Sequence, residues 1–270
     1  MRGETDAESW PTEFWTYCLK ATPCFPLTEH AVESKPTTGT TVGQLDMVVR
    51  NLLDHCKATR ITSALDSRHD TVFGMALFAL ALVGEAMRVG ASTTIGARFT
   101  LRALLELYVT LAFLVKKDNI ELWKSYRVFG SGQAKLALLK LEETTDQPLS
   151  ISMGTLQNLA NEDMWQEFLP IDVGHWTKSN LRDLSAQAEV KEDYDRFYSW
   201  TSMYSHGHWG AVRASVFDTC GNSLHRLHRI PRSTARSQAD VLPDAVVLVD
   251  KLLDLVDRAY PQFGSRLKAG

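Results

Sequence analysis

The sequence predicts an all-α protein, a bundle of about seven to nine helices with an extended N-terminal arm. Three observations support this fold class. Apolar residues recur at helical spacing in nearly every segment after Thr41. No stretch of useful length shows the apolar–polar alternation of a half-buried strand. Residues 97–115 are apolar nearly all round, as expected for a helix in the middle of a domain. We therefore predict an arm over residues 1–42 and a single helical-bundle domain over residues 43–270.

The arm begins with a predicted short helix from Glu8 to Lys20, which places its aromatic side chains mostly on one side. Prolines and threonines are frequent in residues 22–40, so this stretch is predicted to be extended. We interpret the arm as a strap over the core. The alternative is a segment that binds a protein partner.

Thr41 is the predicted N-cap of the first bundle helix, which runs from Val42 to about Ala58. Arg50 and His55 in this helix have the Arg-x4-His spacing of the HEPN ribonucleases, in which the two side chains act on RNA phosphate. Short motifs of this kind often match by chance. The pair is therefore a secondary hypothesis.

A core helix is predicted from Asp70 to Val89, ended by Gly90. Its apolar run between Asp70 and Glu85 has 14 residues, whereas a membrane span needs about 20. No signal peptide and no CxxC pair are visible, so we expect no membrane contact and four reduced cysteines in a cytoplasmic protein. With a net charge of −3, any site for anions must be a local patch.

The central helix, residues 97–115, carries three charges on one face, because Arg98, Arg102 and Glu106 are spaced four apart. A buried charge costs several kcal/mol, roughly, unless it is paired. Glu106 can satisfy only part of the five-donor guanidinium of Arg102. We therefore predict that a second polar row meets this one inside the bundle.

Three further helices are predicted in the middle of the chain. Their bounds are Asn119 to about Glu143 with Asp118 as N-cap, Met153 to Phe168, and Lys178 to Glu189 with Thr177 as N-cap. A long helix then runs from about Glu192 to Cys220. Its polar row of Tyr194, Tyr198, Ser202 and His206 recurs every four residues. We predict that Arg102, Glu106, Tyr198, Ser202 and His206 converge in one polar pocket.

Residues 221–239 contain four arginines and no acidic residue, which predicts a mobile basic loop. Its charges are either simply solvated or in contact with RNA phosphate. The last helix, Asp240 to Tyr260, has a clean apolar stripe. This helix and the aromatic arm offer more apolar surface than one bundle needs, so we expect a homo-oligomer.

The two polar rows resemble an uncharacterised family of bacterial all-helical proteins, a domain of unknown function. Arg102-x3-Glu106 and Tyr198-x3-Ser202-x3-His206-Gly carry the resemblance, which covers roughly Leu45 to Phe217. Such proteins are often compared with HEPN-like helical domains of phage-defence and toxin systems, which implies ribonuclease activity. This chain departs from the HEPN pattern, because Arg102 and His206 fall on different predicted helices.

The leading hypothesis is a phosphodiesterase or ribonuclease of toxin or phage-defence type that needs no metal or other cofactor. In it His206 is the general acid or base, Arg102 holds the phosphate, and Glu106 orients Arg102. The residues predicted to bind an RNA or nucleotide substrate are Arg98, Tyr126, Tyr198, Ser202, His208, Arg226 and Arg229.

Two alternatives belong to other classes. In a non-catalytic interaction or ligand-binding module, Arg102 and Glu106 simply pair with each other in the bundle. A helical carboxylate–histidine metal oxidase needs Glu-x-x-His motifs, and the nearest matches are Asp66-x-x-His69 and Asp172-x-x-His175. No cysteine–histidine set has zinc-finger spacing, so no metal ligand is predicted.

Overall fold

The computed structural model describes residues 6–27, 39–144, 148–161 and 176–268. Within these ranges the chain forms ten α-helices and one two-stranded sheet, which confirms the all-α fold class. The elements are α1 (Asp6–Ala21), α2 (Val42–Thr59), α3 (Ser67–Val89), α4 (Ile95–Lys117), α5 (Ile120–Glu142), α6 (Met153–Asn161), α7 (Leu181–Gln187), α8 (Lys191–Ser205), α9 (Trp209–Val216), β1 (Phe217–Thr219), a 3-10 turn (Ser223–His225), β2 (Arg229–Pro231) and α10 (Leu242–Ala259).

Helix α4 lies at the centre of the bundle, as predicted. It packs against α3, α7, α8 and α10, while α2 and α5 pack against α3. Its side chains Leu105, Val109 and Leu111 have no exposed surface. Burying a leucine of this kind contributes about 1.5–3 kcal/mol relative to an exposed position. The apolar faces of α3, α4 and α10 therefore form most of the core.

The helix ends follow the predicted caps in part. Thr41 accepts a hydrogen bond from the Gln44 amide, and Gly90 ends α3 with φ 65°. Asp118 is not the N-cap of α5, because it ends α4 in the left-handed region and Asn119 accepts the bond from the Glu121 amide. Helix α7 begins after Asn180 rather than Thr177, because Asn180 accepts from the Asp183 amide.

The prediction of a single long helix over residues 192–220 is wrong. Helix α8 ends at Ser205, and Gly207 then adopts φ 60°, a conformation that glycine reaches without a steric penalty. The amide of His208 donates back to the Met203 carbonyl at 2.9 Å, which closes the helix end. The chain restarts as α9 and passes directly into β1, which pairs antiparallel with β2.

The basic segment 221–239 is not an irregular loop throughout, because it contains the 3-10 turn and β2, which pairs with β1 in a hairpin. Arg232 and Arg236 both pair with Asp218 on β1. Arg229 donates to the Thr219 hydroxyl. Three of the four arginines in this segment are therefore bound to side chains of β1.

The described end of the arm lies along this hairpin. The Leu27 amide donates to the Thr219 carbonyl at 2.8 Å, and the Gly221 amide donates to the Phe25 carbonyl at 2.8 Å. A Cβ at Gly221 would stand 2.8 Å from the Phe25 ring, so the arm side chain packs closely on this glycine. The arm after α1 therefore lies against the hairpin in residues 22–27 and not over the bundle core as expected, whereas residues 28–38 lie outside the described ranges.

Helix α3 is long and apolar enough to cross a membrane by length and composition, with a mean hydropathy of 1.8 over its best window. Half of that window is buried inside the protein, and core helices pass the same test. Its residues Val72, Ala76 and Leu80 are fully buried. The helix therefore has the packing of a core helix. Of the helix predicted over residues 153–168, only α6 falls in the described ranges, which also exclude Asp172 and His175.

Candidate functional site

The polar rows of α4 and α8 meet, and the two helices run antiparallel. The Arg98 guanidinium carbon lies 5.9 Å from the centre of the Tyr204 ring, and that of Arg102 lies 3.9 Å from the Tyr198 ring. Further along α4, the Tyr108 hydroxyl donates to Asp193 at 3.2 Å. Contacts thus move toward the start of α8 as α4 proceeds, which fixes the register of the pair.

Arg102 is enclosed by its own helix and by the tyrosines of α8. Its Nη2 pairs with the Glu106 carboxylate at 2.7 Å, although the Glu106 side chain is half exposed. The Tyr198 ring below Arg102 packs on Tyr194, with centroids 4.4 Å apart. The Arg102 Nη1 atom is buried and has no hydrogen-bond partner among the described residues. These contacts favour a role in holding α4 to α8.

Arg98 is the most buried member of the row, with 4% of its surface exposed. Its Nη2 donates to the Ala239 carbonyl at 2.6 Å, so it ties α4 to the segment that precedes α10. Burial lowers the pKa of this guanidinium from its ordinary value. With Thr201 and Asp244, Arg98 lines a cavity of about 340 Å³ beside α8.

The predicted five-residue pocket is not what the structure shows. His206 stands at the exposed C-terminal end of α8. It lies eight residues after Tyr198, or about 12 Å along the helix axis. Because α4 and α8 are antiparallel, this end of α8 lies beyond Arg98 rather than beside Arg102. Ser202 is buried on α8, between Tyr198 and His206.

His206 instead pairs with His208 at the corner between α8 and α9. The two rings stack at a centroid distance of 5.7 Å with 30° between their planes. Both side chains are exposed. Trp200 and Trp209 in the same part of the chain expose 47% and 60% of their surface. We call His206, His208 and Trp209, together with Gly207 between them, the histidine corner.

The other predicted substrate contacts fall elsewhere. Tyr126 lines a cavity of about 380 Å³ with Glu106 and Trp176, and burial raises the pKa of its hydroxyl. Arg226 lies over the Trp15 ring of α1 at 5.8 Å, and Arg229 is bound within the hairpin. Neither arginine is among the residues that line this cavity. The predicted substrate residues therefore do not form one surface.

Two motif hypotheses from the sequence have structural explanations. The His55 ring packs on Phe73 and Phe263, and its Nε2 lies 2.8 Å from the Tyr260 carbonyl, which makes it a packing residue rather than a free imidazole. In the Asp66-x-x-His69 match, the Asp66 carboxylate accepts from the His69 amide as a helix cap. Neither pair resembles an open catalytic or metal site.

A cluster that the sequence prediction missed joins the arm to the hairpin. Cys24, Cys220, His225 and His228 place their ligand atoms within 4.8 Å of one another. The pattern Cys220-x4-His225-x2-His228 was visible in the sequence, but Cys24 lies 201 residues from His225. Only the tertiary return of the arm completes the set. Two thiols and two imidazoles in this arrangement could hold a metal ion.

Comparison with known proteins gives a family but no activity. A family model described as a family of unknown function, DUF5677, matches residues 89–223, which is half of the chain. The matched range includes α4, α8 and the histidine corner. No curated protein and no solved structure matches the chain.

Proposed function

The chain belongs to DUF5677, a family of unknown function, and we propose that it is a ribonuclease acting at the histidine corner. The observation that carries the proposal is the exposed, stacked pair of His206 and His208. Imidazole is the side chain best suited to give and take protons near neutral pH. Two of them at one exposed corner provide a general acid and a general base.

The proposed reaction is a transesterification within the RNA. One imidazole removes the proton of a ribose 2′-hydroxyl, and the oxygen attacks the adjacent phosphorus. The bond to the 5′-oxygen of the next nucleotide breaks, and the other imidazole protonates that oxygen. The products are a 2′,3′-cyclic phosphate and a 5′-hydroxyl. No metal ion takes part in these steps.

Exposed side chains beside the pair suit a single-stranded substrate. Trp209 follows His208 directly and can stack on a base, an interaction worth about 1–3 kcal/mol. Arg213 lies one helical turn further along α9 and is exposed. We propose that Arg213 binds the scissile phosphate and stabilises the negative charge that develops on it in the transition state. Arg98 acts on the corner indirectly, because it contacts Tyr204 two residues before His206.

We also propose that the protein is related to HEPN-like ribonucleases and acts in a toxin or phage-defence system. The shared element is cleavage of RNA without a metal ion. The difference is that the Arg50–His55 pair with HEPN spacing is not the proposed site, because His55 is packed between aromatic rings. The substrate is RNA of the cytoplasm.

The test uses single-stranded RNA in magnesium-free buffer, with DNA and 2′-O-methyl RNA of the same sequence as controls. We expect cleavage of the RNA alone, with 2′,3′-cyclic phosphate ends detected by mass spectrometry. Equal cleavage of DNA, or products with 3′-hydroxyl ends, would contradict the proposed chemistry.

A second candidate is a non-catalytic interaction module, favoured by the exposed face of α1 and the arm. Phe14, Tyr17, Leu19 and Phe25 are all more than two-fifths exposed. The closed contacts of Arg102 with Glu106 and Tyr198 agree with a structural role for the two rows. RNA that stays intact under every condition above would favour this candidate. The carboxylate–histidine oxidase gains no support, because the metal-ligand cluster among the described residues contains no carboxylate.

A further inference from the structure

We propose that Cys24, Cys220, His225 and His228 bind a zinc ion that fastens the N-terminal arm to the hairpin. This site is independent of the proposed ribonuclease activity. It joins two segments that are far apart in sequence: the arm after α1, and the β1–β2 connection. Three of the four ligands lie on the hairpin, and Cys24 alone comes from the arm.

The distances between the ligand atoms fit a tetrahedral zinc site. With zinc–sulfur bonds of about 2.3 Å and zinc–nitrogen bonds of about 2.0–2.1 Å, a sulfur and a nitrogen ligand lie about 3.6 Å apart. Cys24 Sγ lies 3.4 Å from His225 Nδ1 and 3.2 Å from His228 Nε2. Cys220 Sγ lies 3.4 Å from the same His225 Nδ1. These separations need only a small expansion around an ion.

The surroundings of His225 select the tautomer that a metal requires. Its Nε2 faces the Cys18 carbonyl at 3.2 Å and the Thr22 hydroxyl at 2.8 Å. That hydroxyl already donates to the Cys18 carbonyl and accepts from the Asn222 side-chain amide. His225 Nε2 must therefore carry the hydrogen and donate it. The Nδ1 lone pair is left facing both sulfur atoms, as in metal sites with an oriented histidine ligand.

The backbone between the two histidines is held in an uncommon conformation. Arg226 and Leu227 both lie in the left-handed region, with φ 48° and 53°. Each such residue costs about 1 kcal/mol or more, and such strain persists only where its surroundings enforce it. This turn brings the His228 ring back beside His225, with ring centres 5.1 Å apart. Binding of one ion by both rings would explain why this strained turn is maintained.

The donor set points to zinc and to a structural role. Two thiolates with two imidazoles in tetrahedral arrangement suit zinc, and four protein ligands leave no open position for catalysis. A Cys24–Cys220 disulfide would use both sulfur atoms but would not explain why a ring nitrogen of His225 and one of His228 both face the Cys24 sulfur. A bound ion accounts for all four residues.

The test measures zinc in the full-length protein, purified with a tag that contains no histidine run. We expect elemental mass spectrometry to find about one zinc ion per chain. When cobalt replaces zinc, we expect absorption bands in the visible range. Cys24→Ser and His228→Ala should each lower the zinc content at least fivefold. Cys24 is exposed and outside the bundle core, so Cys24→Ser should keep the helical circular dichroism of the wild type.

Cys56→Ser is the matched control, because Cys56 is a free cysteine outside the cluster and should keep full zinc content. Removing zinc with a chelator should also speed tryptic cleavage after Lys20 at the end of α1, and adding zinc should reverse it. Zinc content equal in wild type and Cys24→Ser would overturn the proposal. So would a Cys24–Cys220 disulfide in protein prepared under reducing conditions, or an arm whose cleavage is unchanged by chelation.

Discussion

At the scale of single residues, Gly207 decides the geometry of the histidine corner. Its φ of 60° ends α8 and turns the chain so that the rings of His206 and His208 stack. The sequence contains this information in the run His-Gly-His, because glycine is the usual residue after a helix end. The four-residue spacing of the polar row runs unbroken up to His206, and the predicted helix was extended from there across Gly207 to Cys220. Periodicity alone does not reveal where a helix stops.

Gly207→Ala should lower both stability and RNA cleavage. Alanine at a positive φ costs about 1 kcal/mol, and relief of that strain moves His208 away from His206. Gly90→Ala is the matched control, since Gly90 has φ 65° at the end of α3 and, like Gly207, open space around an added Cβ. Both variants should lose similar stability in urea unfolding, while only Gly207→Ala loses activity. Equal activity of the two variants would show that the corner geometry is unimportant.

At the scale of elements, the central place of α4 was predictable, because its nearly continuous apolar surface is a local property of the sequence. The intrahelical pair of Arg102 and Glu106 was predictable from their spacing. The contact of Arg102 with Tyr198 was also among the predicted ones, whereas the distance of His206 from Arg102 was not predictable, because helical spacing does not give the direction or the register of two packed helices. The antiparallel register brings Tyr198 to Arg102 and leaves His206 beyond Arg98.

The junction of α4 and α5 provides a prediction about stability. Asp118 accepts from Arg68 on α3 at 2.7 and 3.1 Å and from the Trp123 indole at 3.1 Å. Asp118→Asn keeps a residue that tolerates the left-handed conformation but removes the charge. We expect a loss of about 1–2 kcal/mol in the free energy of unfolding at pH 7, measured by urea denaturation. Asp46→Asn removes an exposed pair with Arg88 and should cost about 0.5 kcal/mol or less.

The same variant has a defined pH dependence. The hydrogen bond from Arg68 lowers the pKa of the Asp118 carboxyl in the folded protein. The stabilisation is therefore complete above the unfolded pKa, near 3.9, and is lost as the pH falls below that value. The difference between wild type and Asp118→Asn should shrink on acidification below about pH 4. A difference that grows on acidification would contradict this account of Asp118.

At the scale of the whole molecule, the all-α class followed from composition and periodicity, whereas long-range contacts did not. The zinc cluster needs the arm to return to the hairpin, and the sequence separation of Cys24 and His225 hides that return. The ordered hairpin was missed for the same reason, because Asp218 lies outside the basic segment that it neutralises. Local sequence patterns predict helices, whereas a site built from segments that are distant in sequence can be recognised only in the folded structure.

Self-association is expected through the exposed side of α1 and not through the last helix, because the apolar stripe of α10 is buried in the core. Tyr17 on this helix is 71% exposed, and Phe14 and Leu19 are also exposed. Light scattering should report a mass above that of one chain at high protein concentration, and Tyr17→Glu should reduce it. Phe78→Glu, which alters an exposed aromatic residue on α3, should leave the mass unchanged. A monomer at all concentrations would refute the prediction.

The most direct test of the ribonuclease proposal compares initial rates of RNA cleavage for His206→Ala, His208→Ala, His55→Ala and the wild type. Loss of a general acid or base lowers the rate by about 10²–10⁴-fold. We predict that both corner variants fall in this range and keep the melting temperature of the wild type, because their side chains are exposed. His55→Ala should lose stability but retain a rate within a few-fold of wild type while folded. Full activity in His206→Ala, with activity abolished in folded His55→Ala, would contradict the account and move the site to α2.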